Sequence, residues 1–379
     1  MTIYTFSFPT TIHFGAGARH LVKEHLTAQN FRRPLIVTDR GVAAQTFFSE
    51  FANDLKYKLS VAIFSDVSGN PVKSQVENGV VAYKAHEADS IIGIGGGAAL
   101  DVAKSVALMA THAGDLFDYE DGRPNQKPIT QPIPYWVALP TTSGTGSEVG
   151  RSSVISDEHS HLKKIIFSPQ LLAKTVFADP ELTFDLPAPI TAATGMDALT
   201  HLVESYLAKN YHPICDGVAL EGLRLVAHSL VRAVNEPKNI EARSSMMMAS
   251  MMGAIAFQKG LGLTHSCAHA LGTAVNMHHG LANGIMIPYA MAFNLSYVPE
   301  RFAMMSQAIG VAASNDAFLQ WLYKIRNDVQ IPSKLTDASV QKNQLPYLIE
   351  LSIADSCHQN NPHPVMREDF SKIFEAAFS

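Results

Sequence analysis

The first half of the chain alternates short apolar runs with segments whose apolar residues recur at helical spacing. Apolar runs of strand length occur at PLIVTD (34–39), VAIFSDV (61–67), SIIGIGGG (90–97) and at the start of PYWVALPTTSGTGSE (134–148). Helical periodicity is found in VKSQVENGVVAYKAHEA (72–88) and ALDVAKSVALMAT (99–111). This alternation of strand and helix predicts an α/β domain built on a mostly parallel sheet.

The second half has a different pattern. From about Pro187 onward the periodicity is helical, with no strand pattern of comparable strength. The segments with this period are ITAATGMDALTHLVESYLA (190–208), CDGVALEGLRLVAHSLVRAV (215–234), RSSMMMASMMGAIAFQ (243–258) and GIMIPYAMAFNL (284–295). The change near LPAP (186–189) therefore predicts two domains, an α/β domain over 1–186 and an all-helical domain over 187–379.

Composition excludes several classes of protein. A net charge of −5 and scattered Lys and Arg argue against a nucleic-acid or membrane-surface partner. Three cysteines without paired spacing argue against a disulfide framework and for a reducing compartment. The N-terminal MTIYTFSFPTTIHFGAG alternates Phe and Ile like a strand and does not resemble a signal peptide. No apolar run reaches the roughly 18 residues of a membrane helix, so we expect a cytoplasmic protein.

Three features at the ends of successive strands suggest a dinucleotide site. Gly95–Gly97 lie between a strand and a helix, where glycine lets backbone N–H groups approach phosphate. The spacing is not GxGxxG, and a tight strand–helix turn would have the same sequence. Asp39 could accept from ribose hydroxyls or could cap a helix, and PTTSGTGSE (140–148) offers further hydroxyls. Together they favour a ligand crevice at one sheet edge.

The helical half contains a candidate metal site. Asp197 and His201 are four residues apart in one helical segment, and His265 and His269 are four apart in another, with His278 and His279 shortly after. A mutual Asp–His hydrogen bond in a core would explain the first pair alone. One carboxylate with three imidazoles, however, would form a four-coordinate site for a divalent ion. We favour the metal site.

Long motifs resemble one family. GGGAALDVAK, ALPTTSGTGSEV, DPELTFDLPAPITAATGMDALTHLVES and GLGLTHSCAHALG, followed by HHGLANGIMIPYAMAFN, resemble the iron-containing (group III) alcohol dehydrogenases through nearly the whole chain. FQKGLG and CHQNNP are most similar to its 4-hydroxybutyrate dehydrogenase-like branch. The resemblance implies the dehydroquinate synthase-like fold, in which an N-terminal dinucleotide-binding α/β domain joins an all-helical metal-binding and substrate domain, with the site in the cleft.

The resemblance also implies functional residues. The metal ligands would be Asp197, His201, His265 and His279, while His269 would lie near the nicotinamide and could relay a proton. The implied cofactor-binding residues are Asp39, Gly96, Gly97, Ala98, Asp101, Thr141, Thr142 and Lys163, with Lys164 as the alternative to Lys163. Asp39 favours NAD, because a carboxylate repels the 2′-phosphate of NADP.

The implied activity is that of a metal-dependent NAD(H) alcohol dehydrogenase or aldehyde reductase. Hydride would pass between nicotinamide C4 and a small primary alcohol or aldehyde, with Fe²⁺ favoured, Zn²⁺ compatible, and a homodimer or larger oligomer expected. Arg151 and Lys259 suggest an acidic substrate such as 4-hydroxybutyrate or succinic semialdehyde. If both cations are structural, a simple aliphatic alcohol or diol is the alternative.

The chain departs from the family pattern at a few positions, and one other class of enzyme shares its architecture. Ala98, His278 and His363 stand where the family commonly has Ser, Pro and Arg. These differences leave the implied ligand set intact and bear on the substrate. A dehydroquinate synthase-like lyase is the alternative class, but it would need more Lys and Arg for a phosphorylated substrate.

Overall fold

The structure is a computed structural model that describes residues 8, 10–67, 69–160 and 162–379. It divides into two compact units. The sheet unit comprises the described residues up to Thr142 together with Gly146–Thr183, and the helical unit comprises Ser143–Thr145 and Phe184–Ser379. The division after Thr183 lies three residues before the sequence-predicted boundary. Leu182, just before the division, still packs in a core of the sheet unit.

The sheet unit confirms the predicted α/β class. Its strands are β1 (Thr11–Phe14), β2 (Pro34–Val37), β3 (Ala62–Phe64), β4 (Ser90–Gly95), β5 (Tyr135–Pro140), β6 (Ser152–Ser156), β7 (Lys163–Phe167) and β8 (Thr175–Ala178). Six of them form one sheet in the order β1-β8-β5-β4-β2-β3, and every neighbouring pair is parallel. The antiparallel pair β6-β7 is separate. Of the predicted N-terminal strand, residues 1–7 and 9 lie outside the described residues.

Helices cover this sheet and explain why its central strands are apolar throughout. They are α1 (Val22–Ala28), α2 (Arg40–Ala43), α3 (Thr46–Lys56), α4 (Lys73–Ala85) and α5 (Gly97–Thr111). Every residue of β4 is buried, as is typical of a parallel strand covered on both faces. The rich content of Ala, Val and Leu in α5 lets most of that helix pack against the sheet.

The helical unit contains no strand, and all of residues 184–379 are described. Its helices are α6 (Ala188–Leu207), α7 (Pro213–Asn235), α8 (Ile240–Ala256), α9 (Leu263–Val275), α10 (His279–Leu295), α11 (Pro299–Ala308), α12 (Asn315–Asp328), α13 (Leu345–Ala354) and α14 (Arg367–Phe378). Short 3-10 helices occur in both units. Those of the sheet unit are Ala18–Leu21, Leu116–Tyr119, Ser147–Val149, Pro169–Leu171 and Pro180–Thr183, and those of the helical unit are Phe257–Lys259, Thr336–Ala338, Lys342–Gln344 and Cys357–Asn360.

Helix α6 is the centre of the helical unit. It packs against α7, α8 and α10, and every residue from Thr191 to Leu207 is buried. A helix buried on all sides exposes no polar face, so each polar side chain on it needs a partner inside the protein. None of the helices among the described residues has the length and apolarity needed to cross a bilayer.

Candidate functional site

Three ionisable side chains share one face of the buried helix α6. Asp197, His201 and Glu204 are separated by four and then three residues, which places them in a row along the helix. Their relative exposures are 2%, 5% and 2%. Because burial of such groups is costly without partners, this face indicates a built polar site rather than a core.

The four predicted metal ligands converge at this face. The donor atoms of Asp197, His201, His265 and His279 all lie within 4.8 Å of one another. Asp197 Oδ1 is 3.4 Å from His279 Nε2 and 3.9 Å from His201 Nε2. The His201 and His265 rings are stacked, with centroids 4.8 Å apart. The structure thus brings together residues from α6, α9 and α10 that are up to 82 positions apart (279 − 197).

Gly280 permits the close approach of α10 to α6. A Cβ atom at this position would lie 2.2 Å from the carbonyl oxygen of Ala193 and 3.3 Å from Cβ of Asp197. Any side chain here would therefore push the start of α10, and with it His279, away from Asp197. The predicted ligand His279 is therefore followed by Gly280, the small residue that allows the His279 ring to approach Asp197.

The environment of the imidazoles suits a cation. Burial lowers the pKa of His201 to about 4, so this ring is neutral near pH 7 and keeps a lone pair. Burial also opposes charge on His265, but the hydrogen bond to Glu204 and the charges of the nearby carboxylates together outweigh it and raise the pKa of His265. A proton and a metal ion therefore compete for this ring.

Asn283 tests whether the group fits a metal ion. Its side-chain nitrogen lies 2.8 Å from Asp197 Oδ1, 3.4 Å from His265 Nε2 and 3.2 Å from His279 Nε2. One amide nitrogen within 3.4 Å of all three atoms shows that the carboxylate oxygen and the two ring nitrogens converge on one place. The Asn283 amide oxygen is buried without a hydrogen-bond partner among the described residues. One carboxylate and three imidazoles around one point match the donor set of a divalent transition metal.

His269 lies beside this group in a second hydrogen-bonded pair. Its ring is stacked on His279, with centroids 5.3 Å apart, and its Nδ1 is 2.7 Å from Asp355 Oδ2. Asp355 also accepts from the Ser266 hydroxyl at 2.7 Å and the Cys357 amide at 2.9 Å. Burial opposes ionisation of this carboxyl, but the His269 hydrogen bond holds the pKa of Asp355 well below its usual range. Asp355 therefore remains an acceptor that fixes the His269 ring.

The two predicted substrate cations have different surroundings. The Lys259 side chain is fully buried, and its ammonium donates to Asp216 Oδ1 at 2.5 Å and to the Tyr206 carbonyl at 2.9 Å. These contacts favour the structural alternative for Lys259, since a substrate carboxylate would have to displace Asp216. The Arg151 guanidinium is half-buried over the ring of Phe167, 5.4 Å from its centroid.

The sheet unit brings the predicted nucleotide residues to one edge. Asp39, Gly95 and Thr141 follow or end the neighbouring strands β2, β4 and β5, whose carboxyl ends point the same way. Asp39 Oδ1 caps α2 by accepting from the Val42 amide at 2.8 Å. A Cβ added to Gly95 would lie 3.0 Å from Asp39 Oδ2. The carboxylate is thus a helix cap and a neighbour of the glycine turn at the same time.

The turn itself is narrow. The Thr141 amide donates to the Gly95 carbonyl at 3.0 Å, and a Cβ added to Gly96 would lie 3.3 Å from Thr142. Gly96 caps α5, whose first residues are Gly97 and Ala98. The free amides at a helix start and a glycine turn that side chains would fill are the features of a phosphate site. These residues therefore fit a dinucleotide.

Two other predicted cofactor residues have protein contacts of their own. Asp101 accepts from the Ser147 hydroxyl at 2.6 Å and from the Val154 amide at 3.0 Å, so it fastens α5 to the loop and to β6. Lys163 lies at the start of β7, paired with Ser156 of β6. The neighbouring Lys164 ammonium forms an ion pair with Glu120 at 2.8 Å.

Sequence reasoning did not identify Glu204, Asn283 or Asp355. The first two had a detectable signal, since Glu204 is seven residues after Asp197 and Asn283 four after His279. Asp355 had none, because it is 86 positions from His269. The remaining polar residues of unassigned role are placed as follows: His278 caps α10, the His358 amide donates to Ser266, and His363 is stacked on Tyr297.

Comparison with known proteins places the chain in a family. The sequence profile of "Iron-containing alcohol dehydrogenase" matches residues 9–180, and that of "Fe-containing alcohol dehydrogenase family, C-terminal" matches residues 191–378. The chain is 36% identical to 4-hydroxybutyrate dehydrogenase of Cupriavidus necator over 97% of both proteins. It is 33% identical to 1,3-propanediol dehydrogenase of Klebsiella pneumoniae over 99% of both. The chain therefore belongs to the iron-containing alcohol dehydrogenase family.

One similar solved structure contains a bound nucleotide. Sulfoacetaldehyde reductase from Bifidobacterium kashiwanohense, in complex with NAD⁺, has 28% sequence identity and a TM-score of 0.93 over 100% of both chains. The family and the named relatives together identify this protein as an oxidoreductase of the alcohol dehydrogenase type. These matches are to dehydrogenases and a reductase, which leaves the lyase alternative without support.

Proposed function

We propose that this enzyme oxidises a small primary alcohol with NAD, and reduces the aldehyde in reverse, with 4-hydroxybutyrate and succinic semialdehyde as the first substrate pair to test. The buried convergence of Asp197, His201, His265 and His279 is the observation that carries this proposal. The 36% identity to a 4-hydroxybutyrate dehydrogenase supports the substrate.

The four converging residues would hold the metal ion, for which Fe²⁺ is the first candidate by family and Zn²⁺ the competitor by affinity. When bound, a divalent cation supplies Lewis acidity that eases loss of the hydroxyl proton and polarises the carbonyl in the reverse direction. Asp197 contributes the negative charge of the group, and the buried rings exclude water from their side of it.

For NAD, the proposed contacts are backbone amides of Gly96, Gly97 and Ala98 for phosphate and Asp39 for ribose hydroxyls. Thr141 and Thr142 border the same turn. Asp101 would act by holding Ser147 and β6 in place, and Lys163, at the start of β7, is the proposed lysine of this site. Bound NAD supplies a hydride acceptor for the alcohol carbon.

In this scheme His269 takes up the hydroxyl proton and Asp355 holds its ring. Replacing His269 by alanine is expected to lower kcat about 100-fold, the usual size of a lost acid–base group, while the metal ligands stay in place. Steady-state NADH formation over a range of pH is the measurement. His228→Ala is the matched control, because that ring is exposed on α7 and contacts the Arg224 carbonyl of its own helix, and its rate should stay within about threefold of the wild type by the usual size of surface effects. Full rate with an unchanged pH profile in His269→Ala would remove His269 from the mechanism.

The structure changes the proposed origin of acid selectivity. Lys259 already has a carboxylate partner in Asp216, whereas for Arg151 no carboxylate lies within ion-pair distance among the described residues. Arg151 is therefore the proposed contact for a substrate carboxylate. The ion pair of Lys259 equally favours the second candidate, a neutral diol or alcohol, which the 33% identity to a 1,3-propanediol dehydrogenase also supports.

Kinetics on two substrates of equal chain length test the proposal. The enzyme loaded with Fe²⁺ or Zn²⁺ is expected to form NADH with both alcohols, and kcat/KM should be higher for 4-hydroxybutyrate than for 1-butanol. Arg151→Gln should lower kcat/KM for the acid by at least about tenfold, because a charge-assisted contact is lost, and leave 1-butanol within about threefold. Equal efficiency on both alcohols, unchanged by Arg151→Gln, would support the neutral-alcohol candidate instead. No NADH from any primary alcohol would refute the proposed function itself.

A further inference from the structure

We propose that Glu204 is a positioning residue for the metal ligand His265. By accepting a hydrogen bond from the Nδ1–H group of that ring, Glu204 presents Nε2 to Asp197, His201 and His279. The proposal rests on the proposed function, because it assumes that these residues hold a metal ion. It adds a residue of α6 that is not itself one of the four converging ligands.

The contacts of Glu204 use both carboxylate oxygens. Oε2 accepts from His265 Nδ1 at 2.7 Å and from the Gly262 amide at 2.8 Å, and Oε1 accepts from the Thr264 amide at 2.6 Å. The His265 amide lies farther away, at 3.4 Å from Oε2. The side chains of Glu204 and His265 are each 1% exposed. A carboxylate surrounded by backbone N–H groups accepts only, so the Nδ1 atom facing it is the donor.

This arrangement decides which nitrogen of His265 is available. A neutral imidazole has one donor and one acceptor nitrogen, so a proton on Nδ1 leaves the lone pair on Nε2. The Asn283 side-chain nitrogen lies 3.4 Å from Nε2, on the side of the converging ligands. A carboxylate behind a histidine ligand is a common way to orient the ring and raise its basicity.

The Glu204 carboxylate also lies at the start of α9. There its negative charge interacts favourably with the positive end of the helix dipole, and its oxygens accept from two backbone amides. A capping role alone would explain these backbone contacts. The two roles differ in what they change, because a cap affects stability, whereas a positioning residue affects metal affinity in the folded protein.

The chain provides a matched pair for comparison. Asp355 holds His269 through the same contact, Oδ2 to Nδ1 at 2.7 Å, but His269 belongs to a separate group with Asp355 and Cys357 and not to the four converging ligands. Glu204→Gln and Asp355→Asn therefore remove the same kind of charge from the same kind of ring. Only the first of these rings supplies a ligand atom to the group around Asp197.

Zinc affinity of the metal-stripped full-length protein distinguishes the roles. In competition with a chromophoric chelator, Glu204→Gln is expected to bind Zn²⁺ about 10- to 100-fold more weakly than wild type, the usual effect of losing such a partner. Asp355→Asn should leave the Zn²⁺ affinity of the group around Asp197 within about threefold of the wild type. Equal Zn²⁺ affinity of wild type and folded Glu204→Gln would overturn the proposal while leaving the metal site standing. A wild-type protein that binds no Zn²⁺ and no Fe²⁺ would overturn the proposed function and this inference with it.

A second measurement needs no variant and remains decisive if Glu204→Gln does not fold. In the ¹⁵N-histidine spectrum of the zinc-loaded wild type, His265 should carry its proton on Nδ1, and its Nε2 should show the shift of a metal-bound nitrogen. A His265 ring with its proton on Nε2, or with metal on Nδ1, would overturn the positioning role.

Discussion

Alcohol oxidation by Asp197→Ala is expected to fall at least about 1,000-fold, because the loss of several kcal/mol of charge stabilisation at the metal site has an effect of this size. Asp197 is the only anion among the four converging residues, and its Oδ1 faces both His279 and the Asn283 amide. Its removal would leave three imidazoles and would take from the Asn283 amide its shortest contact, 2.8 Å. NADH formation and the bound metal content of the purified variant are the two measurements, and both should fall.

Thr200→Val is the control for this prediction. Thr200 lies on the same helix, is fully buried, and donates to the Met196 carbonyl at 2.7 Å. The change removes a polar group from α6 without altering a ligand, so the rate should stay within about threefold. If Asp197→Ala stayed folded and kept more than a tenth of the wild-type rate, Asp197 would not be a ligand.

The proposed metal ligands on α6 were predictable because helical geometry is local. Residues four apart lie on one face whatever the rest of the fold does, so Asp197 and His201 could be paired from the sequence. The three features of the nucleotide edge were predictable for a related reason, since the carboxyl ends of parallel strands share one edge. Asp39, Gly95 and Thr141 now lie there together.

Contacts between distant segments could not be predicted in this way. Lys259 stands six residues before His265, and its position suggested a cation in the site. Its direction is determined by Asp216, 43 residues away, and no periodicity encodes that pairing. The partner of His269 was equally unpredictable, because Asp355 lies just after α13, 86 residues farther along the chain. Helix spacing gives faces, while tertiary packing decides which distant groups meet those faces.

Gly95→Ala is expected to weaken both stability and NAD binding. Gly95 has φ of +152°, and an added Cβ would lie 2.6 Å from Cβ of Ala99 and 3.0 Å from Asp39 Oδ2. Its carbonyl is fixed by the Thr141 amide, so the backbone has little room to move. Strain and overpacking together should cost about 2–4 kcal/mol of unfolding free energy, with NAD affinity at least about tenfold lower. Thermal unfolding and NAD titration by fluorescence measure the two effects.

The two effects must be measured together, because they separate the alternatives that the glycine run left open. A tight turn alone would lose stability when Gly95 changes, but folded protein would bind NAD normally. A nucleotide cradle would also lose affinity, since the methyl group displaces Asp39. Gly217→Ala in α7 is the control, because nothing lies within 4 Å of an added Cβ there. It should raise stability by up to about 1 kcal/mol and leave NAD affinity unchanged. Normal NAD affinity in folded Gly95→Ala would make Gly95–Gly97 a structural turn and move the phosphate site elsewhere.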